Sequence, residues 1–358
     1  MDSYSKDHLS ALPVELILKI SKHLDLQDAI SLAGQGRVFD AVLHDRIQFA
    51  MLDYWYKDGG NVAHWAAERD RVDTLEQILI ASQRLRSRRL RDRVTVNLKL
   101  KCQPYILNEM KRRHRLDRGP HDTPLMVAAS KNSINALRFL LAWPGSLVKV
   151  NMANNLGDTA LHYAASAGSV AGTRLLLQHC ADVKASNGYY FTPLHRAVQG
   201  GNEQVVRDLV DAGANIEQSC SYANTYHLRA VELAALLGYR GIFEYLVFDR
   251  NCDPFLGNGS GHARGILHLA AYGGSLAICG TLIQLDCHLV RLRDFHGQIP
   301  LHYAADQGHM EVVRLLVEAG SNPMAMNYFR RTPLQLACFK GHWEVVRYIL
   351  GFFGLHFP

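Results

Sequence analysis

A chain of 358 residues with 48% hydrophobic side chains has ample material for a packed core, which excludes wholesale disorder. Its formal charge of +6 is unevenly spread: residues 84–118 hold 13 Lys and Arg against 3 Asp and Glu, so the remainder is mildly acidic. No stretch approaches the ~20 apolar residues of a membrane span, the opening MDSYSKDHLS lacks a signal peptide's basic and apolar regions, and the cysteines are odd in number without a Cys-x-x-Cys pair, which argues against a disulfide framework or zinc module and for a reducing compartment, cytoplasmic or nuclear.

In residues 8–50 Pro13 suits a first helical turn and Glu15 complements the helix N-terminus. Leu16, Ile17, Ile20 and Leu24 form one apolar stripe at helical spacing, and Asp25 can cap a second helix bearing Ala29, Leu32 and Ala33. The set Leu12, Pro13, Glu15, Leu16, Ile20, Leu24, Asp28, Leu32, Arg37 and Phe39 resembles an F-box, with Gly36 where such segments often have Cys and Phe39 for a frequent Trp. The resemblance implies that this hook docks onto a Skp-type adaptor of a cullin–RING ubiquitin ligase through Leu12, Pro13, Leu16, Ile17, Ile20 and Leu24, while the rest of the chain selects a substrate. The alternative is a helical cap on the array that follows.

Residues 61–70, NVAHWAAERD, begin a repeat domain predicted over 59–352 as a loose copy of a motif whose full form starts at 122. The step from His64 to Met126 is 62 residues, about 29 more than one period. The excess holds the basic insertion at 84–118, with a compact cluster at Lys111, Arg112, Arg113, His114 and Arg115. Dense like charge predicts a solvated segment. A nuclear-import signal, a polyanion contact and a functionless insertion all fit. Nucleic acid is disfavoured as a partner because Tyr105 is the segment's one aromatic for stacking.

The blocks DTPLMVAASKN, DTALHYAASAG, FTPLHRAVQGG, GILHLAAYGG, IPLHYAADQG and RTPLQLACFKG place equivalent residues at 126, 162, 195, 268, 302 and 335, with the degenerate RAVELAALLG at 232. The steps of 36, 33, 37, 36, 34 and 33 residues and the Thr-Pro-Leu-His-x-Ala pattern resemble the ankyrin-repeat family. Thr before Pro is an N-cap followed by a first-turn proline. Paired alanines let neighbouring inner helices approach, and a residue suited to a left-handed stop closes each: Asn132, Gly168, Gly201, Gly238, Gly274, Gly308 and Gly341. The expected fold is all-α: an ankyrin-repeat solenoid of about eight helix pairs joined by short hairpin loops, preceded by the small F-box-like unit. The combination resembles F-box/ankyrin proteins of filamentous fungi.

Histidines at 162, 195, 268 and 302 lie on successive repeats about 10 Å apart, too far to share one ion, so they are read as hydrogen-bonded structural residues and no metal ligands are assigned. GNGSGHARG (257–265) sits in a connecting loop and is weak evidence for phosphate binding. No HExxH, GxSxG or P-loop pattern occurs, so neither catalytic residues nor a cofactor is expected.

The ankyrin resemblance implies that partners contact the hairpin tips and the exposed side of the inner helices. The tips carry Tyr189, Tyr190 and Phe191, then Tyr222 and Tyr226, then Arg264, Phe295 and His296, and last Tyr328, Phe329, Arg330 and Arg331. Inner-helix ends add Gln199, Tyr272, Gln307, Phe339 and Lys340. Aromatic and Arg side chains where polar turn residues are usual mark a binding stripe; stiffening of the solenoid by ring packing is the alternative. The apolar tail 353–358 is expected to fold over the last repeat. The function implied is a protein-binding adaptor, monomeric outside its complex. It serves either as a ligase substrate receptor or as a ligase-independent scaffold.

Overall fold

The structure is a computed structural model, and it describes residues 62–76, 79, 122–143, 148–222, 226–255 and 265–354. The residues of 8–50 expected to dock an adaptor, the basic insertion 84–118, Arg264 and the tail from 355 lie outside the described residues. The chain divides into two compact units, residues 1–155 and 156–358.

In the first unit α1 (Val62–Glu68) packs on α2 (Pro124–Ser130), which turns into α3 (Ile134–Ala142). Ala66, Ala67, Ala128 and Ala129 have no accessible surface, so the paired small residues do bring the two helices together. The Thr123 hydroxyl accepts from Met126 N at 3.3 Å, the cap that Thr-Pro predicts. Ser133 Oγ donates to Glu68 O at 3.1 Å, and His64 Nε2 donates to Asp122 O at 2.6 Å. These bonds show that the loose first copy is in phase with the second despite the insertion between them.

The second unit is a two-layer stack. Its inner layer holds α4 (Ala160–Ser166), α6 (Pro193–Gly200), α8 (Ala230–Leu237), α10 (Ile266–Tyr272), α12 (Pro300–Gln307) and α14 (Pro333–Lys340). Its outer layer holds α5 (Val170–Gln178), α7 (Glu203–Asp211), α9 (Arg240–Glu244), α11 (Leu276–Leu285), α13 (Met310–Glu318) and α15 (Trp343–Phe352). Each helix packs on the next of its own layer. Leu161, Leu194, Leu233 and Leu301 fill the seam between layers with Leu176, Leu209, Leu282 and Leu316; truncating one such leucine to Ala costs about 2–5 kcal/mol. All seven expected stop residues adopt positive φ, from 56° at Asn132 to 78° at Gly238 and Gly341. Asp70, at φ 55°, closes α1 in the same way, and its carboxylate accepts from Ala136 N.

One antiparallel hairpin, β1 (Ser219–Tyr222) and β2 (Tyr226–Arg229), interrupts the helices, with Cys220 opposite Leu228. The 37-residue step into this repeat, four more than the shortest, supplies the length for a paired ladder. α9 also runs on as a π-turn, Tyr245–Asp249. The tail's described beginning does not cover the last repeat: Phe352 ends α15 at 59% exposure and Phe353 is 44% exposed, their rings edge-on to each other. The rest of the tail expected to fold over the last repeat lies outside the described residues.

The repeated histidines act as staples. His162 Nδ1 accepts from Thr159 N at 3.1 Å, so its Nε2 carries the proton and donates to Phe191 O at 3.0 Å, in the next hairpin. His302 repeats this between Ile299 N and Arg331 O, and His268 Nε2 faces Gln298 O. Burial pushes His195 down to about 4 and lowers His162, His268 and His302 as well.

Candidate functional site

Each short hairpin turns on one side chain. Asn187 Oδ1 accepts from Tyr189 N and Phe191 N at 2.9 and 3.0 Å. Asp294 Oδ1 accepts from His296 N and Gln298 N at 2.9 and 2.8 Å, and Asn327 Oδ1 from Phe329 N and Arg331 N at 3.0 and 2.9 Å. The first and fifth residues also pair through the main chain, Asn187 N to Phe191 O and Asn327 N to Arg331 O. The fourth residue is left-handed: Tyr190 at φ 61° and Arg330 at φ 58° stand where Gly157 and Gly297 stand in other tips. A non-glycine residue there costs about 1–2 kcal/mol.

Neighbouring tips are laced together by main-chain bonds: Gly188 N to Leu156 O, Ser221 N to Tyr189 O and Tyr328 N to His296 O, each 2.8–2.9 Å. With the turns and lacing held by main chain, one Asn or Asp and, at the 294–298 tip, Arg293 Nη1 on Gly297 O and Met326 O, the middle side chains of each tip are left outside. Tyr189, Tyr190, Phe295, Tyr328 and Phe329 are exposed, Tyr328 at 71%. His296, Arg330 and Arg331 are exposed beside them. The structure thus places these eight predicted residues on one kind of position, the tip of a hairpin.

Phe191 is a correction. It points inward and is 6% exposed, with its ring 5.9 Å from His195 and the Arg196 guanidinium 4.8 Å above it, whereas Arg331 at the same place in its own tip is exposed. Tyr222 is half-buried, 6.5 Å from Phe191. Tyr226 pairs with Tyr222 through its strand position, its side chain being outside the described residues. Tyr272 is exposed at the end of α10, edge-on to the buried Tyr303 at 6.2 Å. At the other inner-helix ends Gln199 and Gln307 are half-buried, whereas Phe339 and Lys340 are exposed. Leu156, equivalent to Tyr189 and Phe329 and itself exposed, escaped the sequence reading; the Asn154–Gly157 spacing, matching Asp294–Gly297, was the available signal.

For chemistry, burial pushes the thiols of Cys220, Cys252 and Cys279 up to about 12, so they stay protonated at neutral pH. Asp286, Cys287 and His288 bring donor atoms within 4.8 Å of one another at the surface, and Asp286 Oδ1 already accepts from His288 N. Among the described residues no helix is long and apolar enough to cross a membrane. The tip row offers a laced, aromatic and basic surface suited to holding another polypeptide.

Comparison with known proteins agrees with this geometry. The chain is 36% identical over 126 residues to the transient receptor potential cation channel subfamily A member 1 homolog of Caenorhabditis elegans, covering 35% of this chain and 10% of that one. It is 27% identical over 213 residues to the human subfamily A member 1 channel, 50% of this chain and 19% of that protein, and 39% identical over 61 residues to human ankyrin repeat and SOCS box protein 3, 16% and 12% respectively. The chain therefore spans under a fifth of the length of each of these relatives. Among solved structures it is similar to the human ASB11 ankyrin repeat domain, with a TM-score of 0.52 at 26% identity over 63% of this chain and 97% of that one. The family described as ankyrin repeats (3 copies) matches residues 29–187, 125–220 and 267–355, well over half of the sequence. With the stapled helix pairs and laced hairpins, these matches show that the chain belongs to the ankyrin-repeat family.

Proposed function

We propose that this protein is a substrate receptor: residues 8–50 dock a Skp-type adaptor of a cullin–RING ubiquitin ligase, and the tips of the second unit hold the protein to be modified. Ankyrin repeats are protein-interaction modules, and the reading of this one rests on a single observation, the row of exposed Tyr, Phe and Arg side chains on tips whose own bonds are complete without them. The docking half rests on Leu12, Pro13, Leu16, Ile17, Ile20 and Leu24. A similar human protein is named for ankyrin repeats together with a SOCS box. The chain would supply binding energy and geometry, work in the cytoplasm or nucleus as a monomer outside its complex, and leave the chemistry to other subunits.

The test is binding of the full chain to a recombinant Skp-type adaptor, beside a variant carrying Leu12→Ala and Pro13→Ala. Binding that vanishes in the variant, while its circular dichroism and melting match the parent, is the expected result. An adaptor that ignores the parent chain would remove the ligase and leave a protein-binding scaffold with a helical cap.

A further inference from the structure

The last two short tips form one continuous patch. Tyr328 N donates to His296 O, the His296 and Phe329 rings lie 5.9 Å apart, and the Tyr328 ring covers Gly297 so closely that a Cβ there would come within 2.7 Å of it. Phe295, Tyr328 and Phe329 are each more than half exposed on this patch.

Its arginines are not ion-paired among the described residues. On the outer helices Arg174, Arg207, Arg240 and Arg314 meet Asp208, Glu203, Glu244 and Glu311. Arg330 and Arg331 are exposed on the patch and meet no carboxylate among the described residues. The acid that opens the first tip, Asp294, is buried, accepts from His296 N, Gln298 N and the Tyr303 hydroxyl, and forms no ion pair with either arginine. Arg330 moreover keeps a left-handed conformation that other tips give to glycine. The lacing between tips ends here too: among the described residues Phe329 O, the counterpart of Leu156 O, Tyr189 O and His296 O, accepts no N–H.

We propose that this patch binds an extended acidic segment of a partner protein, its carboxylates on Arg330 and Arg331, its apolar side chains on Phe295, Tyr328 and Phe329, and a main-chain N–H on Phe329 O. The inference deepens the protein-binding reading of the tips and rests on it.

Labelled peptides of equal length, rich in Glu, Gln or Lys and each carrying the same two Phe residues, are titrated into the full chain and followed by fluorescence anisotropy. The Glu-rich peptide binds at least about tenfold more tightly than the Gln-rich one, and salt weakens it. A variant with Arg330→Glu and Arg331→Glu loses at least about tenfold of that affinity with its melting unchanged, both side chains being exposed. Equal affinity for the Gln-rich peptide, lost in Phe329→Ala, would overturn the acidic preference and keep the tips as a protein-binding surface. Failure of every peptide to bind would remove both. Glu-rich binding that survives the double reversal would move the site off this patch and overturn the proposal.

Discussion

At the scale of single residues, the histidine staples tie stability to pH. Above pH 6.5 these side chains are neutral in both the folded and the unfolded chain; below it the unfolded chain takes up protons that the buried rings refuse. Stability is therefore full above 6.5 and is lost as pH falls towards the folded-state values, about 4 for His195. That ring alone costs about 2 kcal/mol at pH 5. Thermal unfolding at pH 7 and pH 5 should show a clear drop, and His195→Gln should shrink it while leaving the pH 7 melting close to the parent's. The last repeat supports the swap, since Gln335 Oε1 already accepts from Thr332 N at 2.9 Å. An equal drop in parent and variant would contradict this account. The role of these residues was legible from their spacing, as were the left-handed stops. Phe191 was not: sequence shows three aromatics in a row, and only the packing of one ring on His195 and Arg196 separates the inward Phe191 from the outward Tyr189 and Tyr190.

The element that departs furthest from the repeat is α8 with its leading hairpin. Where the two repeats before it have Thr159 with His162 and Thr192 with His195, it has Arg229 and Glu232. Glu232 accepts from Arg229 N at 2.8 Å, doing the capping that a histidine does elsewhere, and Arg229 Nη1 reaches Asp253 O at 3.0 Å and Glu217 at 2.8 Å. The staple to later chain is thus kept with a buried ion pair in place of an imidazole, the two side chains being 3% and 6% exposed. Arg229→Ala should cost about 3–5 kcal/mol by leaving a buried carboxylate uncompensated. The double change Arg229→Thr with Glu232→His restores the common pair and should cost less than Arg229→Ala, as read by chemical denaturation. A double variant weaker than the single one would show that the hairpin, not the pair, sets this repeat's stability. The sequence made the repeat visible as a degenerate copy, but the strands were illegible because Ser219–Arg229 has no turn signal stronger than the helical pattern around it.

Across the whole molecule, the period located the array because every repeat carries the same local marks, and local marks are what a single sequence displays. The basic insertion is the exception to the period, and the bonds that join α1 to α2 and α3 come from His64, Glu68, Asp70, Asp122 and Ser133, all outside it. Excising residues 84–112 restores a 33-residue step between His64 and Met126. The shortened chain should unfold as cooperatively as the parent by differential scanning calorimetry. A second chain lacking all of 84–118, compared for nuclear entry and for heparin retention, separates the import and polyanion readings of the cluster at 111–115 from a segment with neither role. Loss of cooperative unfolding would mean that the insertion belongs to the core of the first unit.

The laced tips have a consequence for how this protein can change over generations. Asn187, Asp294 and Asn327 hold their turns, and neighbouring tips are joined by main-chain bonds together with Asn187 Nδ2 to Asp158 Oδ1 and Arg293 Nη1 to Met326 O, none of them using a side chain from the middle of a tip. Apart from the left-handed fourth position, where Gly297 also lies beneath the Tyr328 ring, the residues between the ends of each tip carry little folding duty. They form cassettes in which recognition can drift by point substitution while the scaffold that displays them keeps its shape and its melting point.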